Sequence, residues 1–577
     1  MINFDVQVRD FPFDAQSQSA IEKWHKGEHA YGKNWPVVYI IHNDEEAYVG
    51  ETLNAGKRAA QHFQAKERKD LKMIHIMTDE TFNKSVILDL ESFLIKYMSA
   101  DRHFKLQNGN AGLSDFEYYG RNEYVREFHK VWEKLKDCGL VQSGIQDIED
   151  SDFYKYSPYK SLTDDQQKVI DQILYLLKGY LSLDLKDTIV VEGEAGTGKT
   201  ILAIFLMKLI EDLKAGVTEE DETEIASDRN EFKQLITPEK PLKIGLVIPQ
   251  QSLQETLQKV FRTIRGLSPD MVYSPREAAR AGMKQPFDLL ICDESHRLHR
   301  REALSQYPPH DKINEELGMD KEATELDWIL KVSRMQLLFY DVDQSVRPSD
   351  IPDEQFRRIL GHCRKLKLKS QLRCLGGDDY IDYVKEVLNV SGFPGLDAPG
   401  SILPPHGKFK DYRLEMYDDL DLMMDEINRL DKENHLCCAV AGYGWEWKTK
   451  NKPKNTDIRD ISVGRGYIWN RESTDWIGSK RLPNEIGCIH TVQGYDLNYV
   501  GVIFAPDVYF DKKTGRIEVN KKNYWDNLGK QVKGDYEALR RYIINIYSTL
   551  MTRGIHGALV YACDPDLRDY LKLYFHT

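Results

Sequence analysis

The stretch EGEAGTGKT, at residues 192–200, constrains this chain more than any other feature. It satisfies the pattern G-x-x-x-x-G-K-S/T, follows the apolar run TIVV and precedes the apolar segment ILAIFLMKLI. A glycine-rich turn between a strand and a helix places backbone N–H groups around phosphates. We therefore predict a phosphate-binding loop in which Lys199 neutralises the β- and γ-phosphates of ATP and Thr200 ligates Mg²⁺. The other predicted nucleotide-binding residues are Gly193, Glu194, Ala195, Gly196, Thr197 and Gly198.

A second segment, FDLLICDESHR, ends an apolar run with two carboxylates. ATP hydrolysis needs a carboxylate that holds the magnesium shell and a second group that orients or deprotonates water. We predict that Asp293 is the metal ligand and that Glu294 acts on the hydrolytic water.

The pattern of apolar runs predicts the fold class and the domains. Beyond residue 162, short apolar runs such as IGLVIP and GALVYACDP alternate with segments of helical length, which is typical of parallel strands in α/β layers. A chain of 577 residues is too long for one hydrophobic core and predicts roughly three to four domains. We expect an amino-terminal domain at residues 1–140, a linker at 141–161, and two parallel-sheet domains at 162–350 and 351–577.

Composition narrows the class of protein. A formal net charge of −13 argues against a protein that coats nucleic acid through bulk charge, so any contact with nucleic acid must be local. The eight cysteines form no CxxC pair, which argues against a zinc site. Neither a leader peptide nor a membrane span is evident, and we expect a cytoplasmic protein without membrane contact.

Further motifs, in the right order, make residues 162–577 resemble superfamily 1 helicases. The segment LTDDQQ resembles their adenine-reading motif, LLFYDVDQS their sensor motif, and HTVQGYDLNYVGVIF the motif that couples nucleotide state to the nucleic-acid strand. SQLRC and NIYSTLMTRG resemble the segments that present arginines to the γ-phosphate. The residues carried by these five segments are Gln166, Asp341 with Gln344, Gln493 with Gly494, Arg373 and Arg553.

This resemblance implies two RecA-like domains, an ATP cofactor with Mg²⁺, and a nucleic-acid partner. Within the superfamily, DESHR, SQLRC and AGYGWEW resemble a bacterial helicase-like group related to the helicase portion of Schlafen proteins. An arginine presented from a second domain makes closure depend on ATP and contributes about 10³ to 10⁵ in rate.

AGYGWEWKTKNKPKN places Trp445 and Trp447 beside four lysines. The tryptophans are either stacking surfaces for bases or core residues, and the sequence favours neither.

The amino-terminal segment carries a second set of chemical groups. VVYIIHNDEEAYVGE predicts two strands, each with a tyrosine, followed by a helix that has Arg58 and His62 on one face. Phosphodiester hydrolysis needs a base, a cation for the developing charge and a metal held by carboxylate. The candidates for these roles are Tyr39 or Tyr48 as the base or its hydrogen-bonding network, Arg58 as the cation, His62 for proton transfer, Glu91 as the ligand of Mg²⁺ or Mn²⁺, and Asn108 for orientation.

These residues resemble the GIY-YIG nuclease family in type and order, over roughly residues 35–115. Val37 stands where that family usually has glycine, and the turn between the tyrosine motifs is short. The resemblance implies a small mixed α/β nuclease domain.

We therefore expect a metal-dependent endonuclease joined to an ATP-dependent helicase or translocase that acts on nucleic acid, with DNA favoured. Defence against phage is the favoured setting, by resemblance, and repair is the alternative. A different class also stays open, namely a nucleotide-switched protein that binds nucleic acid through an inactive nuclease domain. RNA processing is a third alternative, because helicase contacts go mainly to backbone and base faces.

Overall fold

The computed structural model describes most of the chain in two compact units. The first comprises Met1–Ser182, Thr200–Leu242 and Glu255–Val272, and the second comprises Leu183–Lys199, Lys243–Gln254 and Tyr273–Thr577. The described residues are 4–25, 29–65, 68–109, 118–160, 162–183, 185–194, 196–215, 242–341, 344, 348–361, 363–369, 374–388, 407–448, 457–458, 465–471, 476, 482–492, 497–527, 529–531 and 536–576.

A five-stranded sheet organises the amino-terminal part of the first unit. Its strands are β1 (Gln7–Pro12), β2 (Val37–His42), β3 (Glu46–Thr52), β4 (Met73–Thr78) and β5 (Lys105–Leu106), in the spatial order β1-β4-β2-β3-β5. Strands β1 to β4 pair antiparallel and β5 pairs parallel with β3. The register sets Tyr39 opposite Gly50 and Ile41 opposite Tyr48, so both tyrosines lie on one face. Val37 is a fully buried strand residue.

Helices cover both faces of this sheet because its strands are apolar on both sides. The helices of the first unit up to residue 183 are Ser17–Glu22, Ala55–Gln64, Lys84–Asp101, Arg121–Asp137, Ile145–Glu149, Asp152–Lys155 and Asp164–Leu183. The segment expected to be a linker supplies Val141, Ile148 and Tyr159 to the core cluster that contains Trp132. The domain boundaries stay a prediction.

The first of two six-stranded sheets carries the glycine-rich loop. Its strands are β6 (Asp187–Gly193), β7 (Ile244–Val247), β8 (Val272–Tyr273), β9 (Phe287–Cys292), β10 (Ser333–Tyr340) and β11 (Arg364–Leu368), in the order β11-β6-β10-β9-β7-β8. The pairs β11–β6, β6–β10, β10–β9 and β9–β7 are parallel. The carboxyl ends of β6, β9 and β10 therefore lie at one edge, which is where ligands bind in open α/β sheets.

The second six-stranded sheet belongs to the second unit. Its strands are β12 (Arg413–Met416), β13 (Cys438–Ala441), β14 (Ile468–Trp469), β15 (Glu485–Cys488), β16 (Leu497–Phe504) and β19 (Gly554–Ala562), in the order β12-β19-β16-β13-β15-β14, and every pair is parallel. A separate antiparallel hairpin comprises β17 (Val508–Asp511) and β18 (Arg516–Val519). Just beyond β16, fully buried Asp507 accepts a hydrogen bond of 2.6 Å from Tyr547.

The remaining helices alternate with these strands, as buried parallel strands require. They are Lys199–Ala215, Gln251–Thr263, Pro275–Lys284, Pro308–Glu316, Glu325–Val332, Asp353–Leu360, Gly377–Val387, Leu420–Asn434, Ile489–Val492, Tyr536–Met551 and Pro565–Leu571.

The predicted α/β class with parallel sheets is confirmed, and it is consistent with RecA-like helicase domains. The GIY-YIG assignment of the amino-terminal sheet stays a prediction. Among the helices that the structure describes, none has both the length and the apolar character that crossing a bilayer requires.

Candidate functional site

The glycine-rich loop has the backbone that a phosphate cradle requires. Gly196 and Gly198 have φ of 88° and 82°, a region that side chains with a Cβ rarely adopt. A Cβ on Gly193 would lie 2.7 Å from Thr197 Oγ1, so only glycine fits there. These residues fit an anionic phosphate chain. Ala195 lies outside the described residues.

Lys199 opens the helix that follows the loop, and its side chain is almost fully buried. Its ammonium group donates hydrogen bonds to the carbonyl oxygens of Gly193, at 2.6 Å, and Glu194, at 2.7 Å. The same Nζ atom lies 3.3 Å from Asp341 Oδ2. A buried ammonium held by carbonyls and one carboxylate can exchange these partners for phosphate oxygens with little loss.

The contacts of Asp341 continue toward Arg553. Gln344 Nε2 donates a hydrogen bond of 2.6 Å to Asp341 Oδ2. Arg553, which directly precedes β19, points its Nη2 at Gln344 Oε1 over a longer distance of 3.5 Å. All of these side chains are buried. The structure therefore brings together four polar residues that the sequence associates with nucleotide: Lys199, Asp341, Gln344 and Arg553.

Asp293 and Glu294 follow β9, as predicted. Asp293 is fully buried, and its carboxylate is a suitable ligand for Mg²⁺. Glu294 has a left-handed backbone, with φ of 50°, which turns the chain sharply after the strand. A residue other than glycine or asparagine rarely adopts this conformation, and such outliers are frequent at functional sites.

Two neighbours that the sequence analysis did not assign hold the Glu294 carboxylate. His296 Nε2 lies 2.9 Å from its Oε2, and Arg297 Nε lies 3.4 Å from the same atom. Burial alone would raise the pKa of Glu294, but the charges of His296 and Arg297 and the more remote Lys199 hold it well below its ordinary value. Glu294 therefore stays ionised and suits the role of hydrogen-bond acceptor for water better than that of a strong base.

Lys385 is another residue that the sequence analysis missed. It lies on helix Gly377–Val387, is 5 % exposed, and its Nζ lies 3.1 Å from Glu194 Oε2 in the glycine-rich loop. No sequence pattern marks this lysine, because the helix lies almost 200 residues beyond the loop and the contact depends on the tertiary fold.

Gln166 and Thr200 are predicted nucleotide-site residues that the structure describes. At the start of helix Asp164–Leu183, Thr163 Oγ1 accepts a hydrogen bond from the Gln166 N–H group and Gln166 Oε1 accepts one from the Thr163 N–H group, so the two residues form a capping box with Thr163 as the N-cap. The predicted contact of Gln166 with adenine and the predicted magnesium contact of Thr200 stay predictions. Three further predicted residues, Arg373, Gln493 and Gly494, lie outside the described residues.

The structure decides between the two interpretations of Trp445. This side chain is 8 % exposed and packs edge-on against Trp469, with ring centroids 5.7 Å apart. Trp447 is partly buried against the same cluster. Trp445 is therefore a core residue and offers no stacking surface for a base.

The amino-terminal sheet brings Tyr39, Tyr48 and His62 together. Tyr39 Oη lies 2.6 Å from His62 Nε2, and the ring centroids of Tyr48 and His62 are 5.0 Å apart. Asn54 accepts a hydrogen bond from the Lys57 N–H group and so begins the helix Ala55–Gln64 that carries His62.

Two features position the Tyr39 hydroxyl. A Cβ on Gly50 would lie 2.3 Å from Tyr39 Oη, so the glycine opposite Tyr39 makes the space that the phenol fills. Burial and the neighbouring Tyr48 raise the pKa of Tyr39 well above its ordinary value, although a hydrogen bond with Arg58 opposes them. Tyr39 therefore keeps its proton at neutral pH unless a partner accepts it.

Glu91 lies close to a second carboxylate, Glu51, that the sequence analysis passed over. Burial and the charge of Glu51 raise the pKa of Glu91 to about 8, while Lys84, Arg58 and a hydrogen bond from the Glu51 backbone lower it. Lys84 also pairs with Glu51 at 2.5 Å. A carboxyl group with this pKa gains from a nearby divalent cation, which would favour its ionised form.

Asn108 fastens the strand that carries Tyr48. Its Oδ1 accepts from the Val49 N–H group at 3.0 Å, and its Nδ2 donates to the Val49 carbonyl at 2.9 Å. The side chain thus imitates a neighbouring strand and fixes the backbone between Tyr48 and Gly50. Its role in orienting a nuclease site stays a prediction.

Arg68 is a second cation that the sequence analysis missed. Its Cζ lies 3.7 Å from the centroid of the Tyr48 ring, and its Nη1 lies 3.5 Å from His62 Nε2. The residue stands six positions beyond His62, past the end of the helix, where no helical spacing could have connected them.

Two candidate metal ligands, Asp293 and Glu91, are carboxylates. Among the described residues, no group of three or more histidine, cysteine, aspartate or glutamate side chains is arranged to hold a metal ion. Mg²⁺ usually binds through one or two carboxylates, with water and substrate phosphates completing its shell. Asp293 and Glu91 each fit that pattern.

Two comparisons with known proteins found similar sequences, and one of them names a helicase family. Residues 186–564, more than half of the chain, match the family described as Schlafen group 3, DNA/RNA helicase domain. An uncharacterized protein of Saccharomyces cerevisiae is 22 % identical over 438 residues, which cover 71 % of this chain and 90 % of the relative.

Proposed function

Because the chain belongs to the Schlafen group 3 DNA/RNA helicase domain family, we propose that it is an ATP-driven helicase or translocase whose amino-terminal part is a metal-dependent endonuclease. Family membership itself indicates an ATP-hydrolysing enzyme that binds nucleic acid. DNA as the preferred substrate, the nuclease and the coupling between the two activities are the proposed parts. Defence against phage stays a prediction that rests on resemblance alone.

The observation that carries the motor function is the buried series of contacts from Lys199 through Asp341 and Gln344 to Arg553. In the proposed cycle, Lys199 leaves Asp341 for the β- and γ-phosphates, and Gln344 and Arg553 turn toward the γ-phosphate. Glu294 accepts a hydrogen bond from the attacking water. Mg²⁺, held by Thr200 and Asp293, would neutralise charge on the phosphates. After hydrolysis, Lys199 and Arg553 lose their phosphate contacts, so the two sheets can separate and move a bound strand.

The proposed nuclease chemistry follows from the contact between Tyr39 and His62. The pKa of Tyr39 is raised, so the phenol is not a free base at neutral pH. We infer that His62 accepts the phenolic proton while Tyr39 takes a proton from water, and that Arg58 stabilises the charge that develops on the phosphate. A divalent cation on Glu91 would supply further charge stabilisation.

The experiment that tests both activities uses the purified full chain. Plasmid, linear duplex, single-stranded DNA and RNA are incubated with and without ATP, in Mg²⁺ or Mn²⁺. We expect ATP hydrolysis that nucleic acid stimulates, and metal-dependent cleavage that Glu91→Gln abolishes while the circular dichroism spectrum is unchanged.

The coupling has its own variant. Lys199→Ala should remove the response of cleavage to ATP and leave basal cleavage intact. A cleavage rate that changes neither with ATP nor with this substitution would refute coupling. Binding without cleavage in every metal would instead favour the nucleotide-switched binding protein.

A further inference from the structure

We propose that Trp525, together with Lys521, Lys522 and Lys530, forms a stacking platform that binds single-stranded nucleic acid. The inference deepens the proposed function, since a motor that moves along a strand must hold it. It assigns the contact to a segment that the sequence motifs did not mark, VNKKNYWDNLGKQ, which follows the hairpin of β17 and β18.

Trp525 follows a residue of the core, has an anchored backbone and faces solvent. Its side chain is 42 % exposed, whereas its neighbour Tyr524 is fully buried and belongs to the core of the second unit. The backbone N–H group of Trp525 donates a hydrogen bond of 2.7 Å to the carbonyl oxygen of Tyr443. The side-chain Nδ2 of Asn523 donates to the Pro506 carbonyl at 2.9 Å. These two hydrogen bonds hold the backbone that presents the exposed indole ring, so little backbone freedom is lost when a base stacks on it.

One lysine lies against this ring, and two more precede it by three and four positions in the chain. Lys530 Nζ lies 5.3 Å from the centroid of the Trp525 ring, and Lys521 and Lys522 are exposed. None of these three lysines forms an ion pair within the described ranges, whereas Lys512 pairs with Asp566 at 2.6 Å. On a chain whose net charge is −13, residues 519–531 carry three lysines against the one carboxylate of Asp526, which is a local excess of positive charge.

These features fit a single strand better than a duplex. A base in a single strand exposes its flat face and can stack on an aromatic ring, while lysines neutralise the phosphates on either side. Bases in a duplex are already stacked on each other. Because every base has such a face, we expect affinity without strong sequence preference.

The test measures fluorescence anisotropy of a labelled 20-nucleotide oligothymidylate, the matching oligouridylate and a 20-base-pair duplex with the full chain. Trp525→Ala should weaken single-strand binding about 5- to 150-fold, and Trp525→Phe, which keeps a ring, should restore most of it. Lys521→Ala combined with Lys522→Ala should flatten the salt dependence, lowering the slope of log K against log salt by about 1.4. Lys512→Ala is the matched control, because that lysine is exposed but paired, and should bind as wild type.

Equal single-strand affinity of wild type and Trp525→Ala would overturn the platform, as would an equal loss of duplex and single-strand binding. ATP hydrolysis without nucleic acid should be unchanged in Trp525→Ala. A wild type that binds through Trp525 but never hydrolyses ATP would refute the proposed motor and leave the platform standing. A protein that hydrolyses ATP and binds nucleic acid independently of Trp525 would refute the platform and leave the proposed motor standing.

Discussion

Lys199 and Asp341 form a buried ion pair, with 3.3 Å between Nζ and Oδ2, at the edge of the sheet where the predicted phosphates bind. The carboxylate compensates the charge of the ammonium group away from water. Phosphates that enter the loop must compete with Asp341 for the lysine. Any movement of the Asp341 carboxylate also changes its hydrogen bond with Gln344, which goes to the same oxygen. Nucleotide binding is thereby linked to residues that lead to the second parallel sheet.

Lys199→Ala should lower the rate of ATP hydrolysis by about 10²- to 10³-fold, since loss of one preorganised donor to developing charge costs that much. Phosphate release measures the effect. Lys214→Ala is the control, because Lys214 lies on the same helix and pairs with Glu211. Comparable losses in both variants would show that general damage to the helix is responsible.

Arg553→Ala should lower kcat by about 10³-fold with a smaller effect on the KM for ATP, because an arginine finger acts mainly on the transition state. Arg541→Ala, on the exposed side of the neighbouring helix, should change neither constant. An Arg553→Ala enzyme with normal kcat would remove this residue from the site.

Lys385→Ala should raise the KM for ATP about 5-fold, because the positive charge that Lys385 sets against the Glu194 carboxylate is then lost beside the incoming phosphates. Glu194→Gln should lower KM, and the double variant should resemble Glu194→Gln alone. Steady-state kinetics of the four proteins measure the coupling. Additive effects would mean that the ion pair has no part in nucleotide binding.

Stability should fall as pH rises toward 7 because of Asp507. Burial raises the pKa of Asp507 to about 7, although the hydrogen bond from Tyr547 opposes this rise. The folded state therefore holds a proton that the unfolded state releases above about pH 4, so the contribution to stability is complete below pH 4 and lost by pH 7. Asp507→Asn should reduce the loss of unfolding free energy between pH 5 and 8 by at least about 1 kcal/mol, measured by urea denaturation. Parallel pH profiles of the two proteins would contradict the assignment.

Tyr39→Phe should reduce metal-dependent cleavage by about 10²- to 10⁴-fold, the usual contribution of a group that transfers protons. The substitution removes only the hydroxyl that contacts His62. Tyr124→Phe, which removes a remote bond to the Thr81 carbonyl, serves as the control. Full cleavage by Tyr39→Phe would leave the tyrosine with a packing role only.

The sequence predicts those functional groups that lie within a few residues of each other along the chain. The glycine-rich loop, the strand before it and the carboxylates after β9 are specified within a few residues of each other, and their positions agree with the structure. The partners of these groups come from distant segments. Glu51, Arg68, Lys385 and Trp525 follow no period or motif, and only the folded chain reveals what they contact.

Trp445 illustrates the opposite difficulty. A tryptophan among lysines is consistent with either a stacking surface for bases or a core residue. Which of the two roles Trp445 has depends on Trp469, which lies in β14. Burial is thus a property of the sheet, and the segment by itself cannot specify it.

The close approach of Gly50 to the Tyr39 hydroxyl offers a marker for genome surveys. Any relative that has a larger residue at this position must have moved or lost the phenol, whatever the rest of its sequence preserves. One letter of sequence therefore separates homologues that can retain the proposed hydrolytic arrangement from those in which the sheet survives only as a scaffold. Comparing the two groups in cleavage assays would test whether the proposed activity follows this glycine.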